Sequence, residues 1–212
     1  MLFRSEKTRG KLQVVLNNTL AFAGFDYAGL FVLSDNSFSL NCISYADFSR
    51  REKFLQLLGF DPFALSFPLD WNHPIFRVLR QGDSYKITSP RQVEDVDPDL
   101  GKMAENLTMI LNCGEIELLP IGSGGEMLGT LACCGRREGI SRVELDPFLD
   151  QMNHILRVSA IVRELQSANT LYNDVFQNVD YGIHIVDRKL KLLSFNRTLR
   201  EEFDLSRDDI GK

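Results

Sequence analysis

The chain has 212 residues, of which 44% are hydrophobic and 25% charged, and a formal net charge of −5. This length accommodates one domain of about 150 residues with a full core plus a smaller unit, and the composition excludes a largely disordered or fibrous chain. No Lys/Arg run is longer than isolated pairs such as Arg50-Arg51 and Arg136-Arg137, which argues against a nucleic-acid surface, and no stretch approaches the ~20 apolar residues that span a bilayer.

The first predicted element is an amphipathic helix over 7–24. Leu12, Val15, Leu16, Thr19, Leu20 and Ala23 recur there at helical spacing, and Gly24 supplies the stop. Two β-branched and aromatic runs, 27–33 and 37–45, flank the turn signal Ser34-Asp35-Asn36 and predict a hairpin. A short helix is expected over 49–59, where Phe54, Leu57 and Leu58 are apolar and Gly59 ends the pattern.

The segment 60–100 is rich in loop signals, with Pro62, Pro68, Pro74, Pro90 and Pro98, yet it holds the single tryptophan, Trp71. Long irregular segments inside a domain commonly serve as lids or binding loops. Within it 73–81 reads as a short helix with Pro74 in its first turn and Gly82 as its stop. A helix over 101–112, a strand over 115–121 and a partner strand over 126–134 follow. The turn Gly122-Ser123-Gly124-Gly125 joins two strand-like runs, whereas a phosphate-cradling loop would lead into a helix.

A second long helix is predicted from about Ser141 to Phe176, with Glu144 and Asp146 favourable near its start. Met152, Ile155, Ser159 and Val162 recur three and four residues apart, and Ile161, Leu165, Ala168, Tyr172 and Val175 repeat the step. A helix that extends past a domain has no core of its own for such a stripe, and a partner helix satisfies it. From Tyr181 onward the pattern reads strand, tight turn, strand, helix over 182–187, 190–195 and 198–203. Some 40 residues of that kind seldom support a core alone, so the chain is expected to stop inside a domain.

Three histidines, His73, His154 and His184, are the available imidazole bases, and no motif joins them to a nucleophile. No catalytic residue and no metal-ligand set is assigned. Cys42, Cys113, Cys133 and Cys134 have neither zinc-site spacing nor the density of a disulfide scaffold, which makes reduced thiols in a cytoplasmic protein the default. A redox response of Cys113, Cys133 and Cys134 is the alternative.

The ordered series of elements from 7 to 165 resembles the GAF family. The resemblance is carried by the run from His73 to Gly82 (HPIFRVLRQG), by Leu119-Pro120-Ile121 with Leu128-Gly129-Thr130-Leu131, and by Glu144 leading into Phe148-Leu149. Residues 173–212 resemble the opening of a PAS domain through Val175-Phe176, Gly182-Ile183, Val186-Asp187, Phe195-Asn196 and Asp209-Ile210-Gly211.

These resemblances imply an α+β fold, with a GAF-like antiparallel sheet flanked by helices, a long C-terminal linker helix and a truncated PAS-like hairpin and helix. The implied division is a GAF-like domain over 1–165, a helical linker over 166–176 and an incomplete PAS-like domain over 177–212. The implied role is a non-catalytic sensory input module of a signal-transduction protein, foremost a sensor histidine kinase, with diguanylate cyclases and transcriptional activators as other parents. A pocket for a small molecule or partner would be lined by Phe67, Trp71, His73, Phe76, Tyr85, Met109, Asn112 and Glu117. A homodimer would form through Met152, Ile155, Ser159, Val162, Leu165 and Tyr172. The Asn-Lys, Phe, Asp-Glu signature of cyclic-nucleotide-binding members is missing, and Asp99-Leu100-Gly101 stands where bilin-binding members place their cysteine, so no cofactor is assigned. A structural dimerisation module whose pocket is filled by side chains is the alternative, beside the cysteine switch.

Overall fold

The computed structural model describes residues 6–34, 39–47, 66–111, 113–123, 125–135 and 141–211. Its contacts divide the chain into two units, Met1–Ala160 and Ile161–Lys212. The helix expected over 49–59 and the residues Asp35, Asn36, Asn112 and Gly124 lie outside the described residues.

The first unit opens with α1 (Glu6–Ala23). Its six predicted core positions are all buried, and Gly24, at a φ of 64°, takes the left-handed conformation that ends the helix without a Cβ penalty. Six strands follow in one antiparallel sheet: β1 (Tyr27–Leu33), β2 (Ser39–Asp47), β3 (Ser66–Pro68), β4 (Tyr85–Ile87), β5 (Ile116–Ser123) and β6 (Glu126–Cys134), in the spatial order β3-β2-β1-β6-β5-β4. Between them run α2 (Pro74–Arg80), the single turn α3 (Arg91–Glu94) and α4 (Pro98–Leu111). The helix predicted to begin at Gly101 starts three residues earlier, because proline fits a first helical turn whose N–H groups have no intrahelical acceptor.

Both faces of the sheet are covered, so β1 and β6 are buried along most of their length. Alternation sends Ala28, Leu30 and Val32 of β1 into one core and Tyr27 and Phe31 into the other. The first core joins these residues to Leu12, Leu16 and Leu20 of α1 and to Leu145, Leu149, Met152 and Leu156 of α5 (Arg142–Asn178). The second packs α2, α3 and α4 against the opposite face through Ile75, Phe76, Leu79, Val93 and Ala104. A hydroxyl pair, Thr8 Oγ1 and Ser159 Oγ, 3.3 Å apart, ties α1 to α5.

The second unit begins within α5 and continues through the hairpin β7 (His184–Val186) and β8 (Leu192–Phe195), α6 (Arg197–Phe203) and a 3₁₀ turn over Arg207–Asp209. Asp187 makes the hairpin turn: its Oδ1 accepts from the backbone N–H groups of Lys189 at 2.7 Å and Lys191 at 2.9 Å. No helix among the described residues is long and apolar enough to cross a membrane.

Candidate functional site

The helices α2, α3 and α4 roof one face of the sheet. His73 caps α2: its Nδ1 accepts from the Ile75 N–H at 3.3 Å, and Pro74 takes the first helical position. Ile75, Phe76 and Leu79 therefore project inward on one side of the helix. Beneath them lies a cavity of about 60 Å³, bounded by Phe31, Leu40 and Phe67 on one side and by Ile87, Val93, Ala104, Ile116 and Ala132 on the others.

Among the described residues, the lining carries one polar side chain, Thr130, and its hydroxyl donates to the Leu119 carbonyl at 3.1 Å. A second concavity of about 150 Å³ lies between α2 and the β5–β6 turn, with Arg80, Glu126 and Arg142 on its walls. Its charges are committed within the protein: Arg142 donates to the Gly82 carbonyl at 3.0 Å, and Glu126 pairs with Arg157 at 3.2 Å. The apolar cavity is therefore the better candidate site.

Of the residues expected at the pocket, Phe67 and Phe76 line the cavity. Trp71 and Tyr85 pack against the same core from outside the lining, where Trp71 carries the Arg80 guanidinium 5.5 Å from its ring centroid. The Tyr85 hydroxyl accepts from Gln92 Nε2 at 3.4 Å. His73 is used as a helix cap, Met109 is 73% exposed on α4, and Asn112 is outside the described residues. Glu117 is buried, but it shares its strand face with Leu119 and Ile121, which belong to the core on the other side of the sheet. The residues missed were aliphatic ones, Leu40, Leu79, Ile87 and Ala132 among them; their signal was strand alternation and helical spacing.

The dimer residues also separate. Met152 is fully buried in the core beneath the sheet, Ile155 packs against that core and Ser159 faces Thr8. Val162, Leu165 and Tyr172 are exposed, as are Ile161 and Val175. Cys133 sits in the core on the α1 side, with its thiol 3.5 Å from the Glu117 carbonyl, and Cys134 points the opposite way. There Cys134 hydrogen-bonds Cys113, which lowers the Cys113 thiol below its ordinary value; that bond, reinforced by burial, pushes Cys134 up.

No protein-family model matches the chain, and no curated protein matches its sequence. Solved structures do. The blue-light absorbing form of the PixJ GAF domain of Thermosynechococcus elongatus superposes with a TM-score of 0.51 at 13% identity, covering 81% of this chain and 96% of that one. The GAF domain/HD domain protein of Geobacter sulfurreducens gives 0.50 at 13% identity, over 74% and 94%. The fold is that of a GAF domain. A type II free methionine-R-sulfoxide reductase from Thermoplasma acidophilum is also similar, with a TM-score of 0.45 at 12% identity over 72% of this chain and 93% of that one. Within the GAF fold of this chain, the cavity lies on the sheet face opposite α1 and the start of α5.

Proposed function

We propose that the chain is a sensory and regulatory input module of a signalling protein, non-catalytic in itself, and that the parent is a sensor histidine kinase of a two-component system. The observation that carries this reading is the apolar cavity under α2, α3 and α4 of a GAF fold, with no histidine, cysteine or carboxylate among its described walls. Occupancy of the cavity favours one of two arrangements of the sheet and its helices, which requires differential affinity for the two.

The readout is association of two copies through α5. In the second unit Ile161, Leu165, Ala168, Tyr172 and Val175 alternate by four and three, and every one of them is exposed. That spacing is the seam of a two-stranded coiled coil. The remaining elements, β7, β8 and α6, are the opening of a PAS-like domain. The module works in the cytoplasm.

Sedimentation of the full chain across a concentration series tests the reading. A dimer is expected, and Leu165→Glu and Tyr172→Glu should each shift it toward monomer. A chain that stays monomeric at high concentration would remove the dimeric relay. The small size of the cavity, about 60 Å³, favours a second reading, in which the pocket is filled by its own side chains and the module is purely a dimerisation element.

A further inference from the structure

We propose that the cavity is selective for a small, neutral, hydrocarbon-like molecule and rejects charged and strongly polar ligands. This rests on the reading of the cavity as the sensing site.

The chemistry of the walls decides the class. Phe31, Leu40, Phe67, Leu79, Ile87 and Ile116 offer carbon alone, drawn from five strands and a helix, so among the described walls no rearrangement of one side chain would supply a charge partner. Thr130 does not alter this, because its proton is given to the Leu119 carbonyl on the neighbouring strand. A carboxylate, phosphate or ammonium placed there would lose hydration without an ion partner or a hydrogen bond from the described walls, which is far costlier than any contact it would gain. An apolar occupant loses nothing of the kind and removes its own surface from water.

Size narrows the class further. One water needs roughly 10–15 Å³ of such space, and a dry engineered cavity of about 150 Å³ admits benzene. At about 60 Å³ the cavity is well under half that size and suits a dissolved gas or a hydrocarbon of about two to three carbons. The walls contributed by Ala104 of α4 and Ala132 of β6 set this limit, since both are buried and both are small.

Methyl-resolved NMR of the full chain under xenon, with propane and with acetate tests the proposal. Saturable shifts of the Leu79, Ile87 and Ile116 methyls are expected with xenon and propane, with acetate at least about 100-fold weaker. Ala104→Leu and Ala132→Val, which fill the space from opposite walls, should each weaken propane about tenfold or more. Two walls are used so that one poorly folded variant does not decide the matter. A well-dispersed spectrum that neither xenon nor propane perturbs overturns the proposal, as does acetate binding as well as propane. Sedimentation in the same solutions separates the two claims. Propane that binds without changing association supports the ligand class and removes the sensing role; a charged ligand that changes association while propane fails to bind does the reverse.

Discussion

Asn196 Nδ2 donates to the Tyr181 carbonyl at 2.7 Å, and this bond fixes the entry to β7 against the start of α6. The same side chain uses its Oδ1 twice, accepting from the N–H of Ile183 at 2.8 Å and, as the helix cap, from that of Leu199 at 3.1 Å. It is 1% exposed, so the amide itself has no water as a substitute.

Asn196→Ala should therefore destabilise the second unit by about 1–3 kcal/mol, the cost of a lost cap and of the two other hydrogen bonds. Asn196→Asp keeps the acceptor and should cost less. The single tryptophan, Trp71, lies in the first unit, so fluorescence reports the wrong event. Hydrogen exchange at the Ile183 and Leu199 amides is the suitable measurement, and unchanged protection in Asn196→Ala would show that the clamp is dispensable.

Met152 and Leu165 lie on one helix but meet different surroundings, the first fully buried and the second 65% exposed. Met152→Ala should cost about 2–5 kcal/mol of stability of the first unit through the cavity it leaves. Leu165→Ala should leave that stability within about 0.5 kcal/mol. Denaturation followed by Trp71 fluorescence compares the two, and equal losses would contradict the assignment of Met152 to the core.

The Cys113 thiol, lowered by the hydrogen bond from Cys134, should form thiolate at a pH below that of an ordinary cysteine. Its alkylation by iodoacetamide should rise with pH and reach half-maximum early, while Cys134, raised by that bond and by burial, stays unmodified in the folded protein. Cys134→Ala removes the donor and should move the Cys113 midpoint upward. Mass spectrometry after timed labelling at several pH values reads both sites; a midpoint unmoved in Cys134→Ala would mean the contact does not tune the thiol.

Ser141 donates twice to Glu144 at the start of α5, where Glu144 Oε2 accepts from the Ser141 N–H at 2.8 Å and from its hydroxyl at 3.0 Å. These bonds hold the Glu144 carboxyl below its usual range, the backbone bond contributing most. A depressed folded value means that the stabilisation is present above the unfolded value and is lost as pH falls through the folded one. A carbon-detected titration should place Glu144 below an ordinary glutamate, and Ser141→Ala should return it upward.

The long elements were legible because their signals are local. Leu12 through Ala23 carry a helical repeat, Glu126–Cys134 is bounded by glycine turns, and Pro74 and Gly82 punctuate α2 from either side. β3 and β4 were hidden in the proline-rich segment, since three residues are too few to show an alternation. The side of the sheet was the other obstacle. Glu117 follows a strand parity that only the pairing with β4 and β6 fixes, and polar residues near a predicted loop drew attention that belonged to Leu79 and Ile87. The fold was thus readable from patterns along the chain, whereas the cavity required knowing which patterns face one another.

β6 has no solvent side over its final residues: Leu131 and Cys133 fill one core while Ala132 and Cys134 fill the other. The strand is a partition shared by two packed volumes, one of which holds the cavity beside Ala132. Whatever pushes the strand away from that cavity presses Leu131 toward α1. Sequence drift is constrained accordingly, since each residue change on this strand must suit two packings at once.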